Sequence, residues 1–312
     1  MGWIEESIDR LLIQSEGEYS SRLEKLGFEL EVPNTKALCY CYCIKLDGNG
    51  NPRLKDLAEF VADRIVDYAI PKKEIDEAKS SSSTSKILSL KRKASELFTN
   101  ITNTGEGGEM LLYILTQDIL KLPQLISKMS LKTSGNVHYH GVDGIHVKFE
   151  EPNSLILYWG ESKMYSDINA ALKKCFESLK GFLLDTLSYK STQERDLQLI
   201  NSSLSQNINN PKLEELLVRY FDKDDDLSNN LSYKGICFVG FDSDRYPTTP
   251  LSKKLEELKT EISAQLSQWI ERTKLEIEAI TDLAKYEIHV FLIPFPSVDS
   301  FRSYFLELLN KK

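Results

Sequence analysis

Two apolar runs on either side of a short polar turn constrain the fold of this chain most strongly. The first run ends at Phe149, the second begins at Leu155, and Pro152 and Asn153 stand in the turn between them. Both runs are rich in β-branched and aromatic residues, and such runs flanking a turn signal predict an antiparallel hairpin. Residues 141–163 are therefore expected to form two neighbouring strands of one sheet.

The predicted hairpin brings charged side chains together at one end. Counting outward from the turn places Asp143 opposite residues 161–163. Because side chains alternate along a strand, Glu161 and Lys163 share one face while Ser162 points away. Two carboxylates and one ammonium thus meet at one end of a sheet, an arrangement that could bind a divalent cation and hydrolyse a phosphodiester.

The chemistry of such a site explains these residue types. Hard cations such as Mg²⁺ bind oxygen ligands and keep several waters. Asp143 and Glu161 would each supply a carboxylate oxygen, and Ser162 its backbone carbonyl. Lys163 would orient or deprotonate a metal-bound water, or balance the developing negative charge. Glu109, in the first turn of an apolar helix, would complete the metal shell or simply pair with the helix dipole.

The Glu-x-Lys triplet alone is a weak signal. It also occurs at Glu77–Lys79 and Glu257–Lys259, in helical patterns where such side chains point roughly 200° apart. Taken by itself, a triplet of this kind is most often a solvated surface pair. The triplet at 161–163 differs because it ends a strand and has Asp143 across the hairpin, which favours the catalytic interpretation.

Histidines add a second, weaker signal. His138 and His140 have a His-x-His spacing that can bind metals, but no third soft ligand lies nearby in the sequence. We interpret His140 as a hydrogen-bonding or phosphate-contacting residue beside the site, with a structural role as the alternative. His146, Tyr158 and Trp159 are expected to be structural residues of the hairpin.

Composition limits the classes of protein to consider. The chain has 312 residues, of which 41% are hydrophobic and 28% charged, which is typical of soluble domains. No apolar run of about 18 residues predicts a membrane span, and the first residues do not resemble a signal peptide. Five cysteines form no paired framework. Those at 39, 41 and 43 are expected to be buried, apolar and reduced, which fits the cytoplasm.

Charge is distributed unevenly. The net charge of −8 argues against a protein that binds nucleic acid strongly on its own. Residues 121–180 nevertheless carry eight lysines against six acidic residues, so the region with the candidate site is the least repulsive to a phosphate backbone.

Helical and strand patterns alternate along the chain, which predicts an α/β or α+β fold. A serine-rich segment at 80–85 suggests a soft boundary between an N-terminal α/β region, 1–97, and a second domain, 98–312. Helical patterns are expected at 3–27, 54–70, 167–184, 192–232 and 251–285, and strands within 27–46, 233–241 and 286–295.

Several blocks together resemble the HamA family, the nuclease subunit of the bacterial Hachiman anti-phage defence system. The close resemblance covers roughly residues 100–185 and rests on residues 108–115, 122–123, 128–133, 140–147 and 160–163.

This resemblance implies a restriction-endonuclease-like PD-(D/E)xK core, with a mixed sheet flanked by helices. The central acid of that family falls on Asp143, its ExK pair on Glu161 and Lys163, and its helix-borne glutamate on Glu109. The proline that names the superfamily is absent before Asp143, where Gly141 and Val142 stand. The nuclease domain would span 98–312, with a helical insertion at about 190–232.

The resemblance also implies a Mg²⁺-dependent DNA nuclease, with Mn²⁺ able to substitute. Its expected partner is the helicase-like HamB protein in a heterodimer. Apart from the resemblance, Lys132 and His140 are expected nucleic-acid contacts, and by elimination residues 1–97 and the helical stretches after 190 are expected to hold the partner. Two alternatives stay open. One is a non-catalytic adaptor, against which the intact Asp143, Glu161 and Lys163 argue, and the other is an RNA-directed nuclease using the same site.

Overall fold

A computed structural model describes residues 2–13, 17–81, 83–98, 105–127, 129, 142–184 and 192–310. Eight strands in these ranges form one mixed sheet in the order β1-β3-β8-β7-β6-β5-β4, with β2 paired to β3. The strands are β1 Leu23–Lys25, β2 Leu30–Glu31, β3 Lys36–Ile44, β4 Gln124–Ser127, β5 Gly144–Glu150, β6 Ser154–Tyr165, β7 Leu231–Asp242 and β8 Glu287–Phe295.

Twelve helices flank this sheet in the described ranges. They are α1 Gly2–Asp9, α2 Leu54–Asp63, α3 Ile65–Ala69, α4 Lys72–Ser80, α5 Thr84–Phe98, α6 Glu106–Ile119, α7 Ile168–Leu183, α8 Thr192–Asn207, α9 Pro211–Phe221, α10 Leu255–Ser263, α11 Leu266–Glu278 and α12 Val298–Asn310. This architecture confirms the predicted α+β class with a mixed sheet flanked by helices, and it is consistent with a nuclease-like fold. No described helix has both the length and the apolar character needed to cross a bilayer.

The centre of the sheet is parallel and buried on both faces. Strand β7 lies between β6 and β8 and is parallel to both, and β3 is parallel to β8 on the other side. Helix α7 covers one face, where Trp159 of β6 stacks on Phe182. Helix α6 covers the other, with Leu112 against Gly160. Burial on both faces explains why β7 and β8 are continuous apolar runs rather than alternating ones.

The predicted hairpin is present as β5 and β6. The two strands pair antiparallel from Gly144 opposite Gly160 to Glu150 opposite Ser154. The register differs by one residue from the expected pairing of 150 with 155, because the turn contains only residues 151–153. Asp143 consequently lies just before β5, next to the part of β6 that holds Glu161.

Helix α6 approaches β6 closely because two glycines face its neighbours. A Cβ at Gly108 would lie 3.1 Å from Met164 Cγ, and one at Gly107 would lie 3.0 Å from a ring carbon of Phe301. Such distances are tighter than ordinary van der Waals contacts, so larger residues would push the helix outward. Gly108 therefore lets the first turn of α6 lie against β6, which carries the candidate site, and Gly107 lets the same turn lie against α12.

The N-terminal region contributes strands to the same sheet. Residues 36–41 of β3 pair in parallel with residues 287–292 of β8. The division into regions 1–97 and 98–312 stays a prediction, and both regions share one hydrogen-bonded sheet.

The helical prediction for residues 3–27 is wrong after Asp9. Gly17 and Gly27 adopt positive φ values of 72° and 79°, which a continuing right-handed helix does not allow. Between them, Leu23–Lys25 forms β1 and pairs with β3. The helix expected at 54–70 divides into α2 and α3, and the one at 251–285 into α10 and α11.

Candidate functional site

Asp143 is held at the end of the hairpin by Ser162. The Oδ2 atom of Asp143 accepts hydrogen bonds from the Ser162 backbone N–H at 2.8 Å and from the Ser162 hydroxyl at 2.9 Å. Pairing between β5 and β6 stops at Gly144 and Gly160, so this N–H lies beyond the ladder and needs another acceptor. The buried carboxylate of Asp143 meets that need and is thereby fixed in orientation.

Glu161 and Lys163 form an ion pair on one face of β6. The Lys163 ammonium donates to Oε1 of Glu161. Glu161 is buried, whereas 24% of the Lys163 side chain is exposed. The backbone carbonyl of Glu161 accepts a hydrogen bond from Cys175 Sγ of α7 at 3.3 Å. The pairing agrees with the predicted strand alternation.

The charge on Lys163 is stabilised by both strand acids. Burial by itself lowers the pKa of Lys163, but the carboxylates of Glu161 and Asp143 outweigh it and hold the pKa above the usual value. Lys163 is therefore an ammonium at neutral pH. Lys163 pairs directly with Glu161, and Asp143 bonds to Ser162, which stands between these two residues on β6.

Glu109 connects to the same site through a tyrosine. The hydroxyl of Tyr68, in α3, donates in a shared hydrogen bond to Oε2 of Glu109 and to the backbone carbonyl of Asp143, each at 3.2 Å. Burial, and then the charges of Glu109 and Asp143, raise the pKa of Tyr68 well above its usual value, so its hydroxyl stays a donor. Glu106, one turn before Glu109, is also buried.

Sequence reasoning missed both Tyr68 and Glu106. The pattern of α2 and α3 places Tyr68 among the apolar residues of an amphipathic helix, and nothing local distinguishes it from a core tyrosine. Its partners lie 41 and 75 residues away. Glu106 could have been noticed in the sequence, because the first turn of this largely apolar helix contains two acidic residues, Glu106 and Glu109.

A comparison with known families covers almost the whole chain. The HamA family model matches residues 20–309 of the 312. The chain belongs to the HamA family. Membership points to a component of the Hachiman antiviral defence system. The match extends well beyond residues 100–185 and includes both predicted regions of this HamA chain. No curated protein gives a significant match.

The oxygen atoms of the candidate site in this HamA chain decide which metal ion it could hold. Within the described ranges, no group of three or more His, Cys, Asp and Glu side chains is arranged to hold a metal. Glu161 pairs with Lys163, and the Tyr68 hydroxyl links the Glu109 carboxylate to the backbone carbonyl of Asp143. Mg²⁺ commonly binds one or two carboxylates and fills its remaining positions with waters and substrate phosphates. The oxygen donors of Asp143 and Glu161 fit that requirement, and they suit Mn²⁺ as well.

The remaining predicted residues have different outcomes. Lys132, His138 and His140 lie outside the described residues, so their suggested contacts stay predictions. His146 is buried, and its Nδ1 lies 3.0 Å from the Leu122 carbonyl oxygen. Burial lowers the pKa of His146 to about 4, so the ring is neutral at physiological pH, as expected of a structural residue.

The five cysteines are buried and free, and the burial of Cys39, Cys41 and Cys43 confirms the prediction. Burial raises the pKa of the Cys39 and Cys175 thiols well above the usual value. Protonated, enclosed thiols are poor nucleophiles and poor metal ligands, which agrees with an apolar packing role.

Proposed function

We propose that this HamA-family chain is a metal-dependent DNA nuclease with a PD-(D/E)xK core, and that it is the effector subunit of the Hachiman system. The observation that carries the proposal is the placement of Asp143, Glu161 and Lys163 at one end of the hairpin, where Asp143 bonds to Ser162 and Glu161 pairs with Lys163. These residues come from both strands of one hairpin, and Ser162 between them fixes the orientation of Asp143. Both carboxylates are buried and paired, and a cation bound beside them would further offset the cost of burying their charge.

Each residue has a separate role in the proposed reaction. Asp143 and Glu161 would hold the cation, and Glu109 and the Ser162 carbonyl would supply further oxygen atoms. A cation held there would supply charge neutralisation for the phosphate and acidify a bound water. Without a cation, Glu161 and Asp143 raise the pKa of Lys163. Its Nζ would balance the negative charge that develops on the phosphate, or orient or deprotonate the attacking water.

The overall charge supports a two-protein arrangement. A chain with net charge −8 has little electrostatic attraction to DNA. We infer that a helicase-like HamB partner delivers the DNA and restrains the nuclease until invading or damaged DNA is present, in a cytoplasmic heterodimer. Weak intrinsic DNA affinity would keep such an effector harmless when the trigger is absent.

The test is cleavage of plasmid DNA by the purified chain, with and without the helicase partner, in Mg²⁺ or in EDTA. We expect cleavage in Mg²⁺ that is lost in EDTA and falls at least 100-fold in Glu161→Ala and Lys163→Ala. Lys148→Ala is the matched control, because Lys148 lies on the same hairpin and pairs with Glu150 in an exposed position. Equal cleavage by all variants would refute the assignment of Glu161 and Lys163 to the active site. A parallel reaction with RNA shows whether the chain cleaves DNA or RNA.

A further inference from the structure

We propose that Tyr68 is a positioning residue that orients Glu109 and the Asp143 backbone for cation binding, so that the N-terminal region completes the active site. This inference rests on the proposed nuclease function. Its basis is the shared hydrogen bond of the Tyr68 hydroxyl, which lies 3.2 Å from both Oε2 of Glu109 and the carbonyl oxygen of Asp143. One side chain from α3 thus joins the helix acid to the hairpin.

The position of Tyr68 is fixed by its surroundings. The side chain is fully buried, and its ring centroid lies 5.4 Å from that of Tyr113 and 6.4 Å from that of Phe98. Its backbone N–H donates to the Arg64 carbonyl at 3.1 Å. A side chain enclosed by other rings has little freedom to rotate. This packing therefore holds the Tyr68 hydroxyl in one position between α6 and β5.

Burial makes this hydroxyl hard to replace. Removing the hydroxyl deprives Glu109 Oε2 of a hydrogen-bond donor. Water does not replace this donor, because it does not readily reach a fully enclosed site. Residues that hydrogen-bond to metal-binding carboxylates fix their orientation, and replacing them typically lowers metal affinity about 10- to 100-fold. Tyr68 occupies such a position toward Glu109.

Tyr113 provides a matched control. It is buried like Tyr68, lies against it in α6, and its hydroxyl donates to the backbone carbonyl of Asp67 at 3.3 Å. Tyr113→Phe and Tyr68→Phe therefore remove the same atom from the same cluster of rings. They differ in that Tyr68 contacts a candidate cation-binding carboxylate.

The experiment measures Mn²⁺ and Mg²⁺ binding by calorimetry, together with DNA cleavage across a range of Mg²⁺ concentrations. We expect Tyr68→Phe to weaken metal binding about 10- to 100-fold, with cleavage recovering as Mg²⁺ is raised. Tyr113→Phe is expected to bind metal within about twofold of the unmodified chain, since no donor to a carboxylate is lost.

A second measurement covers the case in which Tyr68→Phe is unstable. Metal binding raises the melting temperature by an amount set by its affinity, so the metal-induced shift can be read in a destabilised variant. A smaller shift in Tyr68→Phe than in Tyr113→Phe supports the proposal. Equal shifts, or equal metal affinities with only lower melting temperatures, would show that Tyr68 is merely structural while leaving the nuclease function standing. An unmodified chain that neither binds metal nor cleaves DNA would overturn both.

Discussion

Replacing Lys163 with methionine tests the electrostatics of the site directly. Lys163→Met keeps the length and apolar stem of the side chain but removes the ammonium that pairs with buried Glu161 and also faces Asp143. Removing one partner of a buried pair commonly costs about 3–5 kcal/mol, because the remaining charge is left uncompensated. Since 24% of the Lys163 side chain is exposed, we expect the lower end of that range.

The assay is thermal unfolding at pH 7.5, with and without Mg²⁺. A loss of about 3 kcal/mol lowers the melting temperature by roughly 6 °C in EDTA, at about 2 °C per kcal/mol for a chain of this size. Mg²⁺ at a few millimolar should recover part of the loss, because a cation can take the place of the ammonium between the acids. Lys148→Met, which removes an exposed pair, should change the melting temperature by about 2 °C or less.

A particular result would contradict this reasoning. If Lys163→Met melts at the same temperature as the unmodified chain in EDTA, the two acids do not depend on the ammonium. If Mg²⁺ stabilises Lys148→Met and the unmodified chain but leaves Lys163→Met unaffected, the carboxylates alone do not bind the cation.

Two further predictions concern the neighbours of the site. His146 has a pKa of about 4 in the folded chain against 6.5 when unfolded, so its stabilising effect is complete above pH 6.5 and is lost as the pH falls toward 4. That loss of stability amounts to about 3 kcal/mol. Urea unfolding at pH 7 and at pH 4.5 measures it, and the free energy of unfolding should differ less between the two pH values in His146→Asn than in the unmodified chain. Gly108→Ala places a Cβ 3.1 Å from Met164 Cγ and 3.5 Å from Ser162 Oγ, so α6 or β6 must shift. We expect a stability loss of about 1–3 kcal/mol and a disproportionate loss of Mg²⁺-dependent cleavage, whereas unchanged cleavage kinetics would show that the close approach of α6 is dispensable.

The sequence was most informative where partners are close along the chain. The hairpin was predicted from its turn, and its register came within one residue of the observed pairing, which was close enough to place Asp143 beside the strand residues Glu161 and Lys163. Ser162 was expected to offer its carbonyl, and the structure adds hydrogen bonds from its N–H and hydroxyl to Asp143. A register argument predicts which residues are adjacent but not which atoms bond.

Long-range contacts were beyond the same reasoning. Tyr68 matches the apolar face of its helix, and only the packing of α3 against α6 brings its hydroxyl to Glu109. The end of the first helix at Asp9 was not predicted, because the apolar spacing in 3–27 suits a longer helix. The positive φ values of Gly17 and Gly27 accompany the pairing of β1 with β3, which the local pattern does not reveal. Short strands such as β4 likewise depend on partners that a local pattern does not contain.

The place of β8 in the sheet has a consequence for biosynthesis. This strand is among the last to leave the ribosome, yet it lies between β3, one of the first, and β7. A polypeptide that stops before residue 287 lacks the strand that pairs with both β3 and β7, so the outer edge of β7 is left unpaired beside the strand that carries Glu161 and Lys163. We expect such unfinished products not to form the candidate site correctly, so that any activity of this site depends on completion of the chain.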